Sequence, residues 1–526
     1  MPETLNTLIQ LIGKRAERKE MADLVNTFVE IGPLFTALSN TENQVVYGRR
    51  GTGKTHLLSY LLNTKISEGD LAFIINMNTL GSSGGIYSDN NLPITERASR
   101  LLVDFLAQFQ DSLTDIVLGS DRTRKFDYDA MCSYLDSFAE AITEVSVDGS
   151  IQVLDQKSNS EKEDNSYRFG VEDKTVSFGI SNNTGYSSDK VYSTTKSGVE
   201  THHIHFGRLN ALFGKITTAL HNCRIWLLLD EWSELPLDIQ PYLADLIRHI
   251  IFPCRNIVVK IAAIEQRTNF RVFAGSNDIG IEVGADTDMS ANLDEYMVFD
   301  NNSEKAQQFF RQMLYKHLST VAHEKSESWS LAEADYINAI FTQQNAFSEL
   351  VRASEGVPRD FIFVISMAAQ KADDRLISVD DIRYAAKRWY NTAKARTILS
   401  RKNAVLLLRW IVEEVIGKRQ ARAFLIKSDI NDDLINFLFD ERVLHIVKDN
   451  VSAHDQPGIR FKVYSIDYGC YVDLINTSKF PLGYFQIDSS SDSEIEYIQV
   501  PSNDYRSIRR AILDLSTFYN SLSEAP

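Results

Sequence analysis

The sequence predicts an α/β fold built on a parallel sheet, followed by a helical region and a small C-terminal domain of mixed helix and strand. Three observations predict it. Over roughly the first 300 residues, short apolar segments of strand length alternate with longer segments of helical spacing. One of these strands is followed at once by a glycine-rich loop and a helix. Alternation of this kind is typical of βαβ units, so helices should cover both faces of the sheet.

Four segments have the composition of strands buried in the middle of such a sheet, because each is a short and nearly continuous apolar run. They are Gln44–Tyr47, Leu71–Met77, Arg224–Leu229 and Asn256–Ile264. Helical spacing is predicted for His56–Asn63, Ile94–Leu118, Tyr128–Val145, Phe206–His221 and Pro236–Ile251, and then from about residue 303 to 395.

Residues 147–202 interrupt this pattern. They are rich in Ser, Asn, Asp, Lys and Gly, with short alternating runs such as Tyr167–Val171 and Val176–Ile180. This composition predicts a β-rich or mobile insertion between core elements. The segment ends in Thr201–His205, which contains three histidines; a metal site is one interpretation and an alternating strand is the other, favoured because no acidic or cysteine ligand stands at a suitable spacing.

Bulk composition restricts the cellular setting and the partners. The chain of 526 residues has 55 Lys and Arg against 71 Asp and Glu, so its formal charge is −16. Such a surface repels phosphate backbones except at a local basic patch. No apolar run has the length of a membrane span, and the N-terminus lacks the apolar stretch of a signal peptide. Four scattered cysteines without a CxxC pair favour a reducing cytoplasm.

The glycine-rich loop is Gly48–Thr55, with the pattern GxxxxGKT. Its glycines let backbone N–H groups close around phosphates, and the helix that follows directs its positive dipole end at the same anions. Lys54 should reach the β- and γ-phosphates and the Thr55 hydroxyl should bind Mg²⁺, so the loop predicts a site for ATP and Mg²⁺. The residues expected to contact the nucleotide are Gly48, Arg49, Arg50, Gly51, Thr52, Gly53, Lys54, Thr55 and His56.

A second motif is the apolar run 225–229 that ends in Asp230 and Glu231. A strand ending in Asp-Glu has the Walker B pattern, in which Asp230 would hold Mg²⁺ directly or through water. Glu231 would act as the general base that polarises the attacking water. Its presence favours ATP hydrolysis over nucleotide storage.

A third motif is Gly356–Phe361, which reads Gly-Val-Pro-Arg-Asp-Phe. Pro358 suits the first turn of a helix. Arg359 would then lie on the first turn of a helical lid, where its guanidinium could meet the γ-phosphate. A plain surface arginine at a helix start is the alternative.

Together, these motifs and their order over roughly residues 20–400 resemble the AAA+ ATPases, in particular the initiator branch that includes the origin-recognition ATPases. The resemblance implies that Arg359 is the sensor 2 arginine and that Lys54, Glu231 and Arg359 act in catalysis. It also implies an arginine finger acting in trans, for which Arg267 and Arg271 are the candidates, and therefore a ring or filament of subunits. The sensor 1 position departs from the family, since it holds Ile264-Glu265-Gln266 instead of Asn, Ser or Thr.

The C-terminal region reads as helix, strand, helix and hairpin, an order that resembles the winged helix of initiator ATPases. The resemblance implies binding to duplex DNA. However, the helix that would enter the groove lies within Asp429–Glu441, which has five acids and no Lys or Arg. Since phosphate contacts need cations, an acidic and apolar helix equally fits a protein contact. Two further segments, Leu80–Asp89 and Asp455–Asp473, resemble an uncharacterised bacterial group of stand-alone origin-recognition-type ATPases.

The sequence therefore predicts a P-loop AAA+ core with a parallel sheet over 1–300, a helical lid over 301–398, a winged-helix-like domain over 399–480 and a tail with a helix over 481–526. Two functions follow. One is a cytoplasmic Mg²⁺-dependent ATPase that assembles with ATP into a homo-oligomer and acts on or near DNA. The other is a regulatory ATPase of an antiviral defence or signalling complex that recruits a protein effector without touching DNA. A small-molecule kinase is disfavoured by the lid and the extra domain.

Overall fold

The fold is seen in a computed structural model of the chain. The residues it describes are 4–13, 20–30, 33–80, 87–119, 126–143, 145–148, 167–172, 175–180, 199–202, 206–220, 223–274, 277–288, 291–294, 303–325, 331–419, 421, 423–452, 458–472, 484–487, 496–499 and 511–523. The predictions for Ser150–Leu154, His203, His205 and most of Leu80–Asp89 lie outside them.

The chain divides into two compact units. The first unit comprises residues 1–35, 47–57 and 292–526, and the second comprises residues 36–46 and 58–291. The glycine loop and the predicted lid therefore belong to the first unit, while Asp230 and Glu231 belong to the second. The predicted domain limits at 300, 398 and 480 stay predictions.

The secondary structure alternates in the second unit and is mainly helical in the first until the C-terminal sheet. The strands are β1 (Gln44–Tyr47), β2 (Leu71–Asn76), β3 (Val145–Asp148), β4 (Tyr167–Glu172), β5 (Thr175–Ile180), β6 (Val199–His202), β7 (Ile225–Asp230), β8 (Ile257–Ala263), β9 (Arg271–Ala274), β10 (Asn277–Gly280), β11 (Ala291–Asn292), β12 (Ala423–Lys427), β13 (Leu444–Ser452), β14 (Arg460–Ile466), β15 (Tyr484–Ile487) and β16 (Glu496–Gln499).

The α-helices are α1 (Leu5–Leu11), α2 (Met21–Thr27), α3 (Leu34–Leu38), α4 (Lys54–Glu68), α5 (Ile94–Gly119), α6 (Tyr128–Thr143), α7 (Phe206–Ala219), α8 (Gln240–Leu246), α9 (Ser303–Glu324), α10 (Tyr336–Ile340), α11 (Gln344–Ala353), α12 (Pro358–Ala372), α13 (Val379–Trp389), α14 (Ala395–Leu399), α15 (Lys402–Ile411), α16 (Asp433–Asp440), α17 (Tyr468–Tyr471) and α18 (Leu515–Ser523). Short 3₁₀ turns occupy Trp232–Glu234 and Glu265–Arg267, and π-helical turns occupy Ile247–Ile251, Tyr390–Lys394 and Val412–Lys418.

A five-stranded sheet in the order β11-β1-β8-β7-β2 forms the centre of the α/β part. β2, β7 and β8 run parallel, with Ile75 opposite Leu229 and Leu229 opposite Ile261. Every residue of β7 and β8 is buried, which explains why their sequences are apolar except at Asp230, the last residue of β7, and at Lys260 of β8, whose ammonium group donates to Glu42 O at 2.7 Å. All four predicted core strands are present.

The described residues of the stretch 147–202 include strands. β4 pairs with β5 in an antiparallel hairpin, and β6 pairs antiparallel with β3, which begins two residues before the stretch. Elsewhere in the second unit, α5, α6 and α7 pack their apolar sides together. The rings of Phe109, Phe138 and Phe213 lie with centroids 5.2 to 6.0 Å apart in this helical layer.

A large apolar core extends through the first unit. It includes Ile9 of α1, Phe310 of α9, Phe361 of α12, Ile382 of α13 and Tyr464 of β14. The helices predicted as a lid and the C-terminal sheet therefore share this core, while other residues of the sheet form a smaller cluster of their own. Within the large core, the rings of Phe310 and Phe361 are stacked with their centroids 4.7 Å apart.

The C-terminal part contains an antiparallel sheet in the order β12-β14-β13 with α15 before it and α16 between β12 and β13. This is the predicted succession of helix, strand, helix and hairpin. The α/β fold with helical lid and winged-helix-like region is thus confirmed.

One predicted boundary was wrong. Helical spacing in the tail runs from Tyr505 to Tyr519 and predicts a helix there, but the helix begins at Leu515. Residues 511–513 extend along β12 instead, since Leu425 N–H donates to Ala511 O at 3.2 Å and Leu513 N–H to Leu425 O at 3.0 Å. Among the described residues, no helix is long and apolar enough to cross a membrane.

Candidate functional site in the glycine loop

The conformation of the glycine loop between β1 and α4 requires glycine at several positions. Gly51 and Gly53 have φ of 87° and 97°, in the left-handed region that favours glycine. A Cβ on Gly51 would lie 2.8 Å from Cβ of Arg359, and a Cβ on Gly48 would lie 2.6 Å from Oγ1 of Thr52. The loop is therefore a tight turn in which the backbone, free of side chains, lines the interior.

Lys54 begins α4 and directs its ammonium group back into the loop. Its Nζ donates to Gly48 O at 2.7 Å and to Arg49 O at 3.1 Å. Thr52 closes the turn from the other side, because its hydroxyl donates to Arg49 O at 2.9 Å. Lys54 is only 6% exposed, so its charge lies inside the loop, the position from which it could pair with bound phosphate.

His56 was predicted to contact the nucleotide, but its ring has another neighbour. Its Nε2 lies 2.6 Å from Leu24 O, and its ring meets that of Phe28 edge-on at 5.5 Å. The side chain of His56 thus ties the first turn of α4 to the segment that follows α2.

Arg49, also predicted as a nucleotide contact, is bound to protein groups of the first unit. Its backbone N–H and its Nε donate to the two oxygens of Asp294, at 3.0 and 2.9 Å, and one Nη donates to Glu355 O at 3.1 Å. The other Nη pairs with Nδ1 of His445 on β13. The residue is 3% exposed. Its side chain joins the loop to the turn before α12 and to the C-terminal sheet.

His445 is held in a defined protonation state. Its Nδ1 faces the guanidinium of Arg49 and must accept, so Nε2 carries the proton and donates to Asp467 at 3.3 Å. Complete burial lowers the pKa of His445 from 6.5 to about 4, and the nearby positive charges of Arg49 and Lys394 act in the same direction. The imidazole is therefore neutral at physiological pH.

The network continues from Asp467 to α12. Lys394 Nζ pairs with Asp467 and lies 2.8 Å from Asp360 Oδ2, and Arg442 donates to Asp360 Oδ1 at 2.6 Å. Burial alone would raise the pKa of Asp360, but Lys394 and Arg442 outweigh it and hold the pKa at about 2. We call Arg49, His445, Asp467, Lys394 and Asp360 the buried network. It is a continuous series of charged side chains and one neutral imidazole that runs from the glycine loop to α12.

Arg359 lies beside the loop, as the resemblance implies. Pro358 occupies the first turn of α12, and the backbone N–H of Arg359 donates to Gly51 O at 3.2 Å. The preceding turn holds Glu355 and Gly356 at φ of 47° and 75°. The N-terminus of α12 is thereby fixed against the loop, with the arginine at its edge.

In the second unit, Asp230 and Glu231 follow the buried strand β7. Asp230 is 1% exposed, its carbonyl accepts from Met77 N–H at 2.9 Å, and its Oδ1 accepts from Glu231 N–H at 2.9 Å. Glu231 has φ of 55° and ψ of 37°, a left-handed conformation that is costly for a residue with a Cβ. This conformation turns the chain sharply at the strand end.

The predicted sensor 1 position is contacted by the turn that follows Glu231. Ile264 N–H donates to Oγ of Ser233 at 2.6 Å, and the Thr268 hydroxyl donates to Ile264 O at 2.7 Å. The end of β8 and the Walker B turn are therefore connected through two hydroxyl groups. Sequence spacing alone could not find this link, because Ser233 and Thr268 fall outside the expected position.

The two finger candidates differ in their surroundings. Arg271 on β9 is held by two carboxylates: its Nε donates to Asp278 at 2.5 Å and an Nη lies 2.9 Å from Glu282. Arg267 ends a 3₁₀ turn, and its carbonyl accepts from Gln240 at 3.1 Å. A finger at Arg271 would have to exchange both carboxylates for phosphate, and both arginines stay candidates.

The part of the chain that the structure describes contains no cluster of His, Cys, Asp or Glu able to hold a metal by itself. The oxygen donors predicted for Mg²⁺, Thr55 and Asp230, are chemically suitable for a hard cation that also binds phosphate. The alternating-strand interpretation fits the start of Thr201–His205, since β6 ends at His202.

Comparison with known proteins agrees with the motif analysis over one segment. The ORC-CDC6-like family model matches residues 13–68, which include β1, the glycine loop and α4. The segment around the glycine loop is therefore similar to this family. One solved structure, that of the Aeropyrum pernix Orc1 protein in complex with DNA, is similar at 12% identity and a TM-score of 0.32, covering 85% of this chain and 93% of that chain. No curated protein matches the chain.

Proposed function

We propose that this chain is a cytoplasmic AAA+ ATPase that binds and hydrolyses ATP with Mg²⁺ and uses nucleotide state to control its assembly and its action on DNA. The observation that carries the proposal is the glycine loop with the N-terminus of α12 bonded to it. The backbone of Gly51 accepts from Arg359, and Lys54 lies inside the same turn. A loop so connected can report the presence of phosphate directly to α12.

Each residue has a distinct role in this proposal. The loop N–H groups and Lys54 bind the phosphates, and Thr55 and Asp230 supply oxygens to Mg²⁺, which would neutralise phosphate charge when bound. Glu231 takes the proton from the attacking water, and its left-handed backbone sets the direction of its carboxylate. Arg359 stabilises charge on the γ-phosphate, and Arg267 or Arg271 of a neighbouring copy does the same in trans.

Nucleotide binding and turnover test these roles separately. Lys54→Ala should abolish ATP binding measured by fluorescent-nucleotide titration, while Lys325→Ala, a surface change at the end of the α9 region, should not alter it. Glu231→Gln should retain binding and lower phosphate release by at least about 100-fold, the usual worth of a general base. Wild-type turnover in Glu231→Gln would refute the assigned base, and unchanged binding in Lys54→Ala would refute the site.

Assembly is tested by sizing Glu231→Gln with saturating ATP and Mg²⁺. A shift from monomer to a larger species that Lys54→Ala cannot form supports the switch. A protein that stays monomeric under these conditions contradicts nucleotide-controlled assembly.

A second candidate function is a regulatory ATPase that recruits a protein effector without DNA. It is favoured by α16, the helix that would enter a DNA groove in a winged helix. α16 begins after Asp432, whose carboxylate accepts from the N–H groups of Leu434 and Ile435, and it carries acids at both ends. Phosphate would be repelled there, so DNA binding, if present, must use another surface.

A further inference from the structure

One stretch of the first unit has a charge opposite to that of the whole chain. Between residues 382 and 412 there are eight Lys or Arg and no Asp or Glu, in a protein whose formal charge is −16. The stretch covers α13 after its acidic first turn, which holds Asp380 and Asp381, and then the π-helical turn Tyr390–Lys394, α14 and α15. Such a run of cations without interleaved acids is the composition expected of a phosphate-binding surface.

The helical segments sort these cations by face. The inward side of α13 and α14 is apolar and buried, as shown by Ile382, Ala385, Ala386 and Ile398. The outward side carries exposed cations together with two exposed apolar side chains, Tyr384 and Leu399. Arg409 of α15 is exposed as well. We call the five exposed cations that precede it the basic strip, and they are Lys387, Arg388, Arg396, Arg401 and Lys402.

Spacing along the strip suits a polyanion. Arg388 and Arg396 are eight residues apart on a nearly continuous helix, which places them roughly 12 Å apart along its axis. Over that distance one strand of a duplex presents three or four phosphates. Arg401 and Lys402 follow at the junction of α14 and α15 and extend the same run of charge.

The π-helical turn gives this segment a second property. It places Lys394 on the inward side, where the side chain is 2% exposed and pairs with Asp360 and Asp467 of the buried network. The outward cations of this segment are exposed. Its inward cation, Lys394, belongs to the buried network, which ends at Arg49 of the glycine loop. A ligand on the strip would act on a helix that is already bonded to the ATP-binding loop.

We propose that the basic strip binds the sugar-phosphate backbone of nucleic acid, in place of α16. This inference rests on the proposed function and names the surface through which it acts on DNA. A lipid surface fits less well, because the apolar side of α13 and α14 is covered by the core, and the large apolar side chains that these two helices expose are Tyr384 and Leu399, too few for an apolar face that enters a bilayer. Arginine, which forms three of the five cations, suits phosphate through its planar guanidinium.

The test compares two double variants with equal loss of charge. Arg388→Gln/Arg396→Gln removes two cations of the strip, and Lys305→Gln/Lys325→Gln removes two exposed cations from α9 and the residue just after it. Fluorescence anisotropy with a labelled 30-base-pair DNA duplex, and with an RNA duplex of the same sequence, is measured from 50 to 200 mM salt. Thermal unfolding of both variants checks that the fold is kept.

We expect the strip variant to bind at least tenfold more weakly at 100 mM salt and its log–log salt slope to fall in magnitude by about two, one for each lost phosphate contact. The α9 control should stay within twofold of wild type. Arg388→Lys/Arg396→Lys, which keeps the charge, should restore the slope. Strip-dependent binding of either duplex supports the proposal, and the two probes distinguish DNA from RNA.

Equal losses in the strip and control variants would overturn the inference, as would the absence of duplex binding by the wild type. Strip-dependent binding to phosphatidylserine vesicles or polyglutamate that is as tight as binding to duplex would also overturn it. ATP turnover, measured on the same samples, keeps the two proposals apart. Normal turnover with strip-independent binding defeats only this inference, whereas strip-dependent binding without turnover defeats only the ATPase.

Discussion

Two turns that contain proposed catalytic residues each have a residue at positive φ. This residue is a glycine in one turn and a glutamate in the other. In the first unit the glycine loop uses Gly51, at φ of 87°. In the second unit the turn after β7 uses Glu231, at φ of 55°. The first turn needs the absence of a side chain, while the second accepts backbone strain to present one. Strain retained at a carboxylate is typical of functional sites.

The difference predicts opposite responses when a Cβ is added or removed. Gly51→Ala should have the largest effect, because alanine is disfavoured at this φ and its Cβ would overlap Cβ of Arg359 at 2.8 Å. We expect the free energy of unfolding to fall by roughly 2 to 5 kcal/mol and ATP affinity to fall at least tenfold. Chemical denaturation and nucleotide titration measure these losses, and Gly53→Ala, where a Cβ would meet nothing within 4 Å, separates backbone strain from overlap.

The glycine loop is also bonded to the buried network, because Arg49 belongs to both. All five residues of that network lie in the first unit. This gives a pH effect. Because the pKa of His445 is lowered to about 4 in the fold from 6.5 when unfolded, the unfolded chain binds the extra proton between these values. Stability is therefore complete above pH 6.5 and is lost as pH falls toward 4. From this residue we expect a loss of about 2 kcal/mol between pH 7 and pH 5.

Asn at position 445 is the matched control for this effect. Its amide oxygen can accept from Arg49 in place of Nδ1, and it does not titrate. Urea unfolding of wild type and His445→Asn at pH 7 and pH 5 should show that the variant loses about 2 kcal/mol less on acidification. Equal pH dependence in the two proteins would mean that His445 is not the buried neutral imidazole described here.

The smallest expected effect is at Glu231. Glu231→Gly removes the Cβ from a left-handed residue, so it should raise the free energy of unfolding by about 1 kcal/mol while abolishing phosphate release. Glu231→Gln, which keeps the Cβ and the strain, should lower phosphate release by at least about 100-fold without this gain in stability. Equal stability in the glycine and glutamine variants would show that the turn after β7 is relaxed in spite of its φ.

The parts of the site that the sequence could predict are those in which local pattern determines geometry. The spacing of glycines in Gly48–Thr55 specifies a left-handed turn, and the apolar run 225–229 specifies a buried strand ending in Asp230. Both lie where they were expected. The fold class was predictable for the same reason, since the alternation of strand and helix is a local property repeated along the chain.

The connections of Arg49 could not be predicted in this way. Its partners Asp294 and His445 lie 245 and 396 residues further along the chain. In a GxxxxGKT pattern an arginine at this position is naturally taken as a phosphate contact, and only the folded chain shows that its side chain faces protein groups. The start of the last helix was mispredicted for a related reason. Residues 511–513 form hydrogen bonds with the edge of β12, which is distant in sequence, in place of the hydrogen bonds of a helix.

The π-helical turn Tyr390–Lys394 makes the position of one side chain depend on a single residue of chain length. A π-helical turn accommodates one residue more than an α-helical turn. Deleting one residue here, for example Ala393, would let the segment close as a regular α-helix, so α13 and α14 could keep their present buried sides. The turn that holds Lys394 against Asp360 and Asp467 would then be gone. A change of one residue is thus sufficient to connect this helix with the buried network or to disconnect it.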